Sequence, residues 1–216
     1  MAALLGLELS PDPCSLALLR EDGQLATRQF GGERGRALLH EIDGLMREAG
    51  TERAELRGIV VGIGPGSYTG LRIACTAARS LAYALEIPVG GISSFDAAIA
   101  EAGEGITHVV LDAYRGEVYL GTGACAQGEV RITQEPRVCQ LDELELQDTQ
   151  ARVVCDPRLR EALTHLKPQD YAPRAARLLE LAVARGVTVH GDGFEALTEA
   201  EPMYLRAAAF RPGQQG

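Results

Sequence analysis

The chain states one pattern twice. A short apolar run, Leu4 to Leu9, leads into the turn cluster Ser10-Pro11-Asp12-Pro13. A second run from Cys14 to Leu19, the hairpin signal Asp22-Gly23 and a third run from Leu25 to Phe30 follow. The same order returns later: Thr107 to Leu111, the turn Asp112-Ala113-Tyr114-Arg115-Gly116, Glu117 to Gly123, Gln127-Gly128 and Glu129 to Gln134. Glu8 stands 104 residues before Asp112, and Gly23 stands 105 before Gly128. A repeated three-strand meander with an acid ending its first strand predicts two βββαβα-like halves, hence two lobes with mixed sheets. The expected division is residues 1–103 and residues 104–216, the second lobe smaller and more irregular, with a last segment that packs back on the first.

Helical periodicity fills the space between the strands. Arg36 to Ala49 sets Leu38, Ile42, Leu45 and Ala49 on one face, with Gly50 placed as a C-cap. Ile59 to Ile63 reads as a central strand, and Gly64 to Gly70 as a Gly-rich turn. Leu71 to Leu85 reads as a helix ended by Ile87-Pro88. Val89 to Ile92 is a short strand, and Ser93 or Ser94 caps a third helix through Ala102. Beyond Pro136 the pattern weakens. Leu141 to Asp148 is an acidic helix or loop, Arg152 to Cys155 a strand, and Arg158 to Leu166 a helix. Pro173 to Arg185 is a helix with proline in its first turn, Gly191 to Pro202 a loop, and Arg211 to Gly216 a frayed tail.

Composition bounds the partners. Over 216 residues, 46% hydrophobic and 24% charged side chains suffice for a core, in one domain or two small lobes. A net charge of −9 disfavours binding driven by a nucleic-acid backbone. Five cysteines, an odd number without a C-x-x-C, fit neither a disulfide framework nor a compact zinc site. Met1 to Ser10 lacks the basic start of a signal peptide, and no apolar run reaches ~20 residues. The expectation is a cytoplasmic protein with no membrane contact.

Familiar catalytic spacings fail. Gly62 to Ser67 is not G-x-G-x-x-G, because Ser67 holds the sixth place, and Leu71 after Gly70 excludes a Walker A lysine. The turn still joins a strand to a helix N-terminus, where free N–H groups can hold an anion. Its glycines equally permit a tight turn and close helix packing. Ser67 is outside a G-x-S-x-G elbow and reads as a turn or capping hydroxyl. His40-Glu41 opens an H-E-x-x-H pattern that Gly44 breaks, and no two histidines share a helical turn. No catalytic or metal-ligating set emerges. Glu8 and Asp112, candidates for the cleft between the lobes, either bind magnesium or hold a turn; the turn role is favoured.

The strongest physical clue is a seam. Leu71, Ala74, Ala78, Leu81 and Leu85 recur at spacings of three and four, with alanines that let another helix approach closely. Ala77 and Ala82 make the helix apolar elsewhere too. Paired with Leu38, Ile42 and Leu45, this seam supplies half of a four-helix interface. The alternative is that both seams pack only within their own lobe.

Specific motifs run along the chain in order. Gly64-Pro65-Gly66-Ser67-Tyr68-Thr69-Gly70-Leu71-Arg72 resembles GPGSFTGLR of the TsaB (YeaZ) family, with Tyr68 in place of Phe. Asp112-Ala113-Tyr114-Arg115-Gly116-Glu117-Val118-Tyr119 resembles the family's DARRGEVY. Pro88-Val89 and Gly91-Ile92-Ser93-Ser94 resemble the segment between them, and Pro202-Met203-Tyr204-Leu205-Arg206 resembles its P-x-YLR. The first strand departs from the family pattern: Glu8-Leu9 stands where Asp-Thr is usual.

The resemblance implies an α/β, two-lobed actin/Hsp70/sugar-kinase-like (ASKHA) fold with duplicated mixed sheets. It implies a non-catalytic scaffold for TsaD, the metal-bearing transferase. With the ATPase TsaE, that pair moves a threonylcarbamoyl group to the adenosine beside the tRNA anticodon. It implies a helix-bundle contact with TsaD, a homodimer when TsaD is absent, and only indirect contact with tRNA. No cofactor is implied, beyond ATP or ADP bound weakly or shared at the subunit boundary. The motif residues Gly64, Gly66, Ser67, Thr69, Gly70 and Arg72 are expected at a functional turn. The competing reading is a stand-alone two-lobed ATPase or phosphotransferase-like enzyme.

Overall fold

The structure is a computed structural model that describes residues 1–32, 34–146 and 150–205, without the side chain of Arg34. Glu33, the end of the acidic stretch at 147–148, Arg206 and the tail Arg211–Gly216 lie outside the described residues.

The first half builds β1 (Ala3–Glu8), β2 (Cys14–Arg20), β3 (Leu25–Phe30), α1 (Arg34–Glu48), β4 (Leu56–Gly64), α2 (Tyr68–Leu85), β5 (Val89–Ser93) and α3 (Ser94–Ala102). Its sheet has the order β3-β2-β1-β4-β5, with β1 antiparallel to β2 and parallel to β4. The second half adds β6 (Gly105–Asp112), β7 (Glu117–Ala126), β8 (Glu129–Gln140), β9 (Arg152–Cys155), β10 (Gln169–Asp170) and α4 (Ala175–Ala184). Its sheet runs β10-β9-β6-β7-β8, with β6 antiparallel to β7 and parallel to β9. Strand for strand this is the same topology, so the duplication read from Glu8 and Asp112 is carried by the backbone.

The halves differ where helices should cover the second sheet. Between β8 and β9 the described chain forms only a 3-10 turn at Leu141–Glu143. Between β9 and β10, the expected helix Arg158–Leu166 is two 3-10 turns, Pro157–Leu159 and Thr164–Leu166. Leu159 and Leu163 are buried four residues apart, which mimics a helical period, yet Lys167 in left-handed backbone ends the run. Pro173 also lies outside its helix, since α4 is capped at Arg174.

Three cores result. Leu5, Leu7, Leu16, Ile59 and Val61 face α1 and α2 on one side of the first sheet. On its other side Leu4, Ala17 and Val60 meet Phe95 and Ile99 of α3 and Leu178 and Leu179 of α4. Val109 and Leu111 of the second sheet close that same cluster, so α3 and α4 lie between the sheets. A smaller cluster around Val110, Leu120 and Leu163 fills the outer face of the second sheet. Burial on both sides explains why β1 reads as an unbroken apolar run rather than an alternating one. Asp96 of α3 binds Arg185 beyond α4 at 2.8 Å, which pins the two middle helices together. No helix among the described residues is long and apolar enough to cross a membrane.

Candidate partner-docking site

The motif turn is built from close approaches. β4 ends at Gly64, whose φ of +96° suits glycine, and a Cβ there would sit 2.6 Å from Leu71 Cδ1. A Cβ on Gly66 would meet the Ser10 side chain, and Ser67 N–H donates to Ser10 O at 3.3 Å. The turn is thus pressed against the β1–β2 loop. Ser67 is the N-cap of α2: its Oγ accepts from Gly70 N–H at 3.3 Å. Gly70 is buried, while Thr69 is exposed. Arg72, one turn on, donates to Tyr68 Oη at 3.0 Å, and its guanidinium lies 5.3 Å from that ring's centre.

The helices that follow place the expected interface residues differently from the seam pattern. Leu38, Ile42, Leu45, Leu71, Ala74 and Ala78 are buried in the first lobe's own core. The seam expected to meet a partner is the face that meets the sheet. Ala74 and Ala78 have no exposed surface at all, because their small side chains let α2 settle onto β4 and β1. Leu81 and Leu85 are only half-buried at the edge of that core.

The outward apolar stripe is one position further round. Gly35 and Leu39 of α1 with Ile73, Ala77 and Leu81 of α2 line an open groove of about 500 Å³, and two of the expected interface residues, Leu38 and Leu81, reach it. Leu39 is 61% exposed, large for a leucine. A Cβ on Gly35 would lie 3.6 Å from Ile73 Cδ1, so the glycine brings the start of α1 close to α2. Sequence periodicity missed Leu39 and Ile73. Their signal is the pair of i, i+4 steps Gly35–Leu39 and Ile73–Ala77, which repeats beside the better seam.

The duplicated acids do the same local task. Glu8 Oε1 accepts from Ser10 N–H at 2.8 Å, and Asp112 Oδ1 accepts from Tyr114 N–H at 2.7 Å. Each carboxylate closes the turn two residues ahead. Their surroundings differ. Asp112 also pairs with Arg158 at 3.2 Å, which is bound bidentately by Asp156 and lies 5.1 Å from the Tyr114 ring centre. Glu8 is wholly buried, and its Oε2 has no hydrogen-bond partner among the described residues. Burial pushes its carboxyl above the usual carboxylate range, and hydrogen bonding from Ser10 pulls it back only in part.

The space between the lobes at Glu8 is filled. Ala175 N–H at the start of α4 donates to Ser15 Oγ at 2.9 Å, and Ser15 is the cross-strand neighbour of Glu8. A Cβ on Gly6 would sit 2.9 Å from Ala175 O. Tyr171 is buried nearby, its phenol raised well above its ordinary value by burial and then by the Glu8 charge. Burial likewise pushes the Cys75 thiol up to about 12 and the Cys155 thiol up to about 11, which keeps both protonated and poor as nucleophiles. Among the described residues no three His, Cys, Asp or Glu side chains gather as a metal site.

Two mixed five-stranded sheets of identical topology with flanking helices define the class: a two-lobed α/β protein of the actin/Hsp70/sugar-kinase-like kind. Comparison with known proteins narrows it. A family profile described as TsaD, tRNA N6-adenosine threonylcarbamoyltransferase, matches residues 34–177. The tRNA threonylcarbamoyladenosine biosynthesis protein TsaB of Haemophilus influenzae is 30% identical, covering 94% of this chain and 93% of its own length. TsaB of Bacillus subtilis is 31% identical over 66% of this chain and 65% of its own length, so that match spans just under two thirds of the relative. The solved structure of YeaZ from Pseudomonas aeruginosa, 30% identical, superposes with a TM-score of 0.76 over 95% of this chain and 100% of its own. The chain belongs to the TsaB (YeaZ) family. A second Pseudomonas aeruginosa structure, described as similar to peptidase YeaZ, superposes with a TM-score of 0.77. In this chain Ser67 is spent on capping α2 and Cys75 is buried and protonated.

Proposed function

We propose that the chain serves tRNA threonylcarbamoyladenosine biosynthesis by binding a TsaD transferase, and that it performs no chemistry of its own. The observation that carries this reading is the open apolar groove of Gly35, Leu39, Ile73, Ala77 and Leu81. Two parallel stripes of small and medium apolar side chains suit a pair of partner helices packed at close range. Exposed apolar area of this kind seeks cover, so the same groove brings two copies together when TsaD is absent. TsaE joins through the complex, and tRNA is met only indirectly, as the net charge of −9 favours. Adenine nucleotide, if held, is shared at the subunit boundary, and the working compartment is the cytoplasm.

The reading as a stand-alone ATPase needs an open cleft at the end of β1. Glu8 is instead wholly buried, with its carboxylate turned to Ser10 and its cross-strand neighbour Ser15 bound to the start of α4. Light scattering on a size-exclusion column tests the proposal, with this chain alone and then mixed with TsaD of the same organism. A heterocomplex that replaces the free species supports it. Unchanged masses, with magnesium-dependent ATP hydrolysis by the chain alone, overturn it.

A further inference from the structure

Beside the groove lies a second, polar cleft of about 370 Å³ between α2 and the C-terminal segment. Arg72, Thr76, Arg79 and Ser80 form one wall, and Pro202 and Tyr204 form the other. Arg72, Thr76 and Ser80 line the apolar groove as well, so the two sites share a rim.

We propose that this cleft is a carboxylate pocket that takes an Asp or Glu side chain of the protein docked in the groove, displacing the chain's own Glu201. This rests on the docking reading above and adds the chemistry of the partner. Two guanidiniums and two hydroxyls on one face of α2 present donors and no carboxylate, since α2 contains no acidic residue. The cleft already holds a carboxylate at its edge: Glu201 Oε1 lies 3.1 Å from Arg79, with the two side chains 60% and 58% exposed. An ion pair so open to water is worth little and exchanges readily. Arg72 is held ready rather than neutralised. It stacks on Tyr68, which in turn packs on Tyr204 at 5.2 Å, and among the described residues no carboxylate lies within ion-pair distance of it.

The pocket separates a true partner from a second copy. A copy brings two more arginines on its α2, and each acid on its α1 already has an arginine partner in its own chain. There Glu41 and Glu48 are both bound to Arg28, and Asp43 to Arg47 and Arg53. A partner with one unpaired acid at the right place gains a charge-assisted contact that a copy makes only by giving up an ion pair of its own.

The test uses titration calorimetry against TsaD of the same organism and sedimentation for self-association, on variants whose melting curves match wild type. Arg79→Glu is expected to weaken the heterocomplex at least about tenfold while self-association changes less than about twofold. Glu201→Gln is expected to tighten the heterocomplex a few-fold, about two to five times, by freeing Arg79. Ile73→Glu, in the groove, is the control. If Ile73→Glu abolishes binding and Arg79→Glu leaves it unchanged, the pocket is refuted and the groove stands. If Ile73→Glu leaves binding intact, docking fails and the pocket falls with it. If Arg79→Glu matters only once tRNA is added, the cleft takes phosphate, which overturns the carboxylate assignment.

Discussion

Gly62 lacks a side chain because the Glu8 carboxylate occupies its place: a Cβ built on Gly62 would lie 2.6 Å from Glu8 Cδ. The two residues sit on adjacent parallel strands, and the buried acid lies across the neighbour's bare backbone. Gly62→Ala should therefore overpack a closed site and cost about 1–3 kcal/mol. Glu8→Ala empties the same space. A double-mutant cycle read by urea unfolding should show the two changes to be strongly non-additive, whereas additive losses would mean that the pair is not in contact.

Ionised Glu8 is a burden on the fold. Its folded pKa lies above the unfolded one, so the folded state holds the extra proton between them. That contribution is complete below the unfolded value and is lost as pH rises through the folded value. Glu8→Gln removes the titration. Thermal melts between pH 4 and pH 8 should show the variant gaining on wild type as pH rises, by roughly 2–4 °C for each kcal/mol relieved. Parallel curves across that range would refute the buried ionisation.

Tyr171 keeps its ring in the core between the sheets while its Oη finds no partner among the described residues. Tyr171→Phe preserves the packing and removes an unpaired polar atom. Its melting temperature should equal or exceed that of wild type, because an unsatisfied buried hydroxyl costs about 1–3 kcal/mol. A clear loss of stability would show that the hydroxyl is satisfied.

Neighbouring alanines on α2 should part company. Ala78 is fully buried, so Ala78→Arg places a charge against the first sheet and should unfold the protein or cost at least about 3 kcal/mol. Ala77 is half-buried at the groove, where an arginine can turn its guanidinium to water, so Ala77→Arg should cost about 1 kcal/mol or less. Equal damage from both would mean that the groove face is not free.

Much of this architecture was legible, and the failures have physical causes. The meanders, the turn acids and the capping Ser67 declare themselves through local rules: period, turn chemistry and N-cap geometry. β3 and β9 begin and end where the residues predict. The direction of α2 did not, because both of its faces are apolar and periodicity cannot say which one meets the sheet. The alanine seam that suits a partner helix is equally the one a sheet needs for close approach, which leaves Leu39 and Ile73 outside the expected set. The region from Pro157 to Leu166 carries helical spacing without a helix: Leu159, Leu163 and Leu166 all pack on the outer cluster, but from two 3-10 turns, the second ended by Lys167 in left-handed backbone. The cleft at Glu201 brings together residues 122 positions apart and has no signature in either segment alone.

Titration calorimetry of Ala77→Arg against TsaD tests docking most directly. The groove account predicts that a correctly folded Ala77→Arg loses at least about tenfold in affinity, since an unpaired charge at an interface core costs 1.4 kcal/mol or more. Wild-type affinity in that folded variant would contradict it and move the partner to another face.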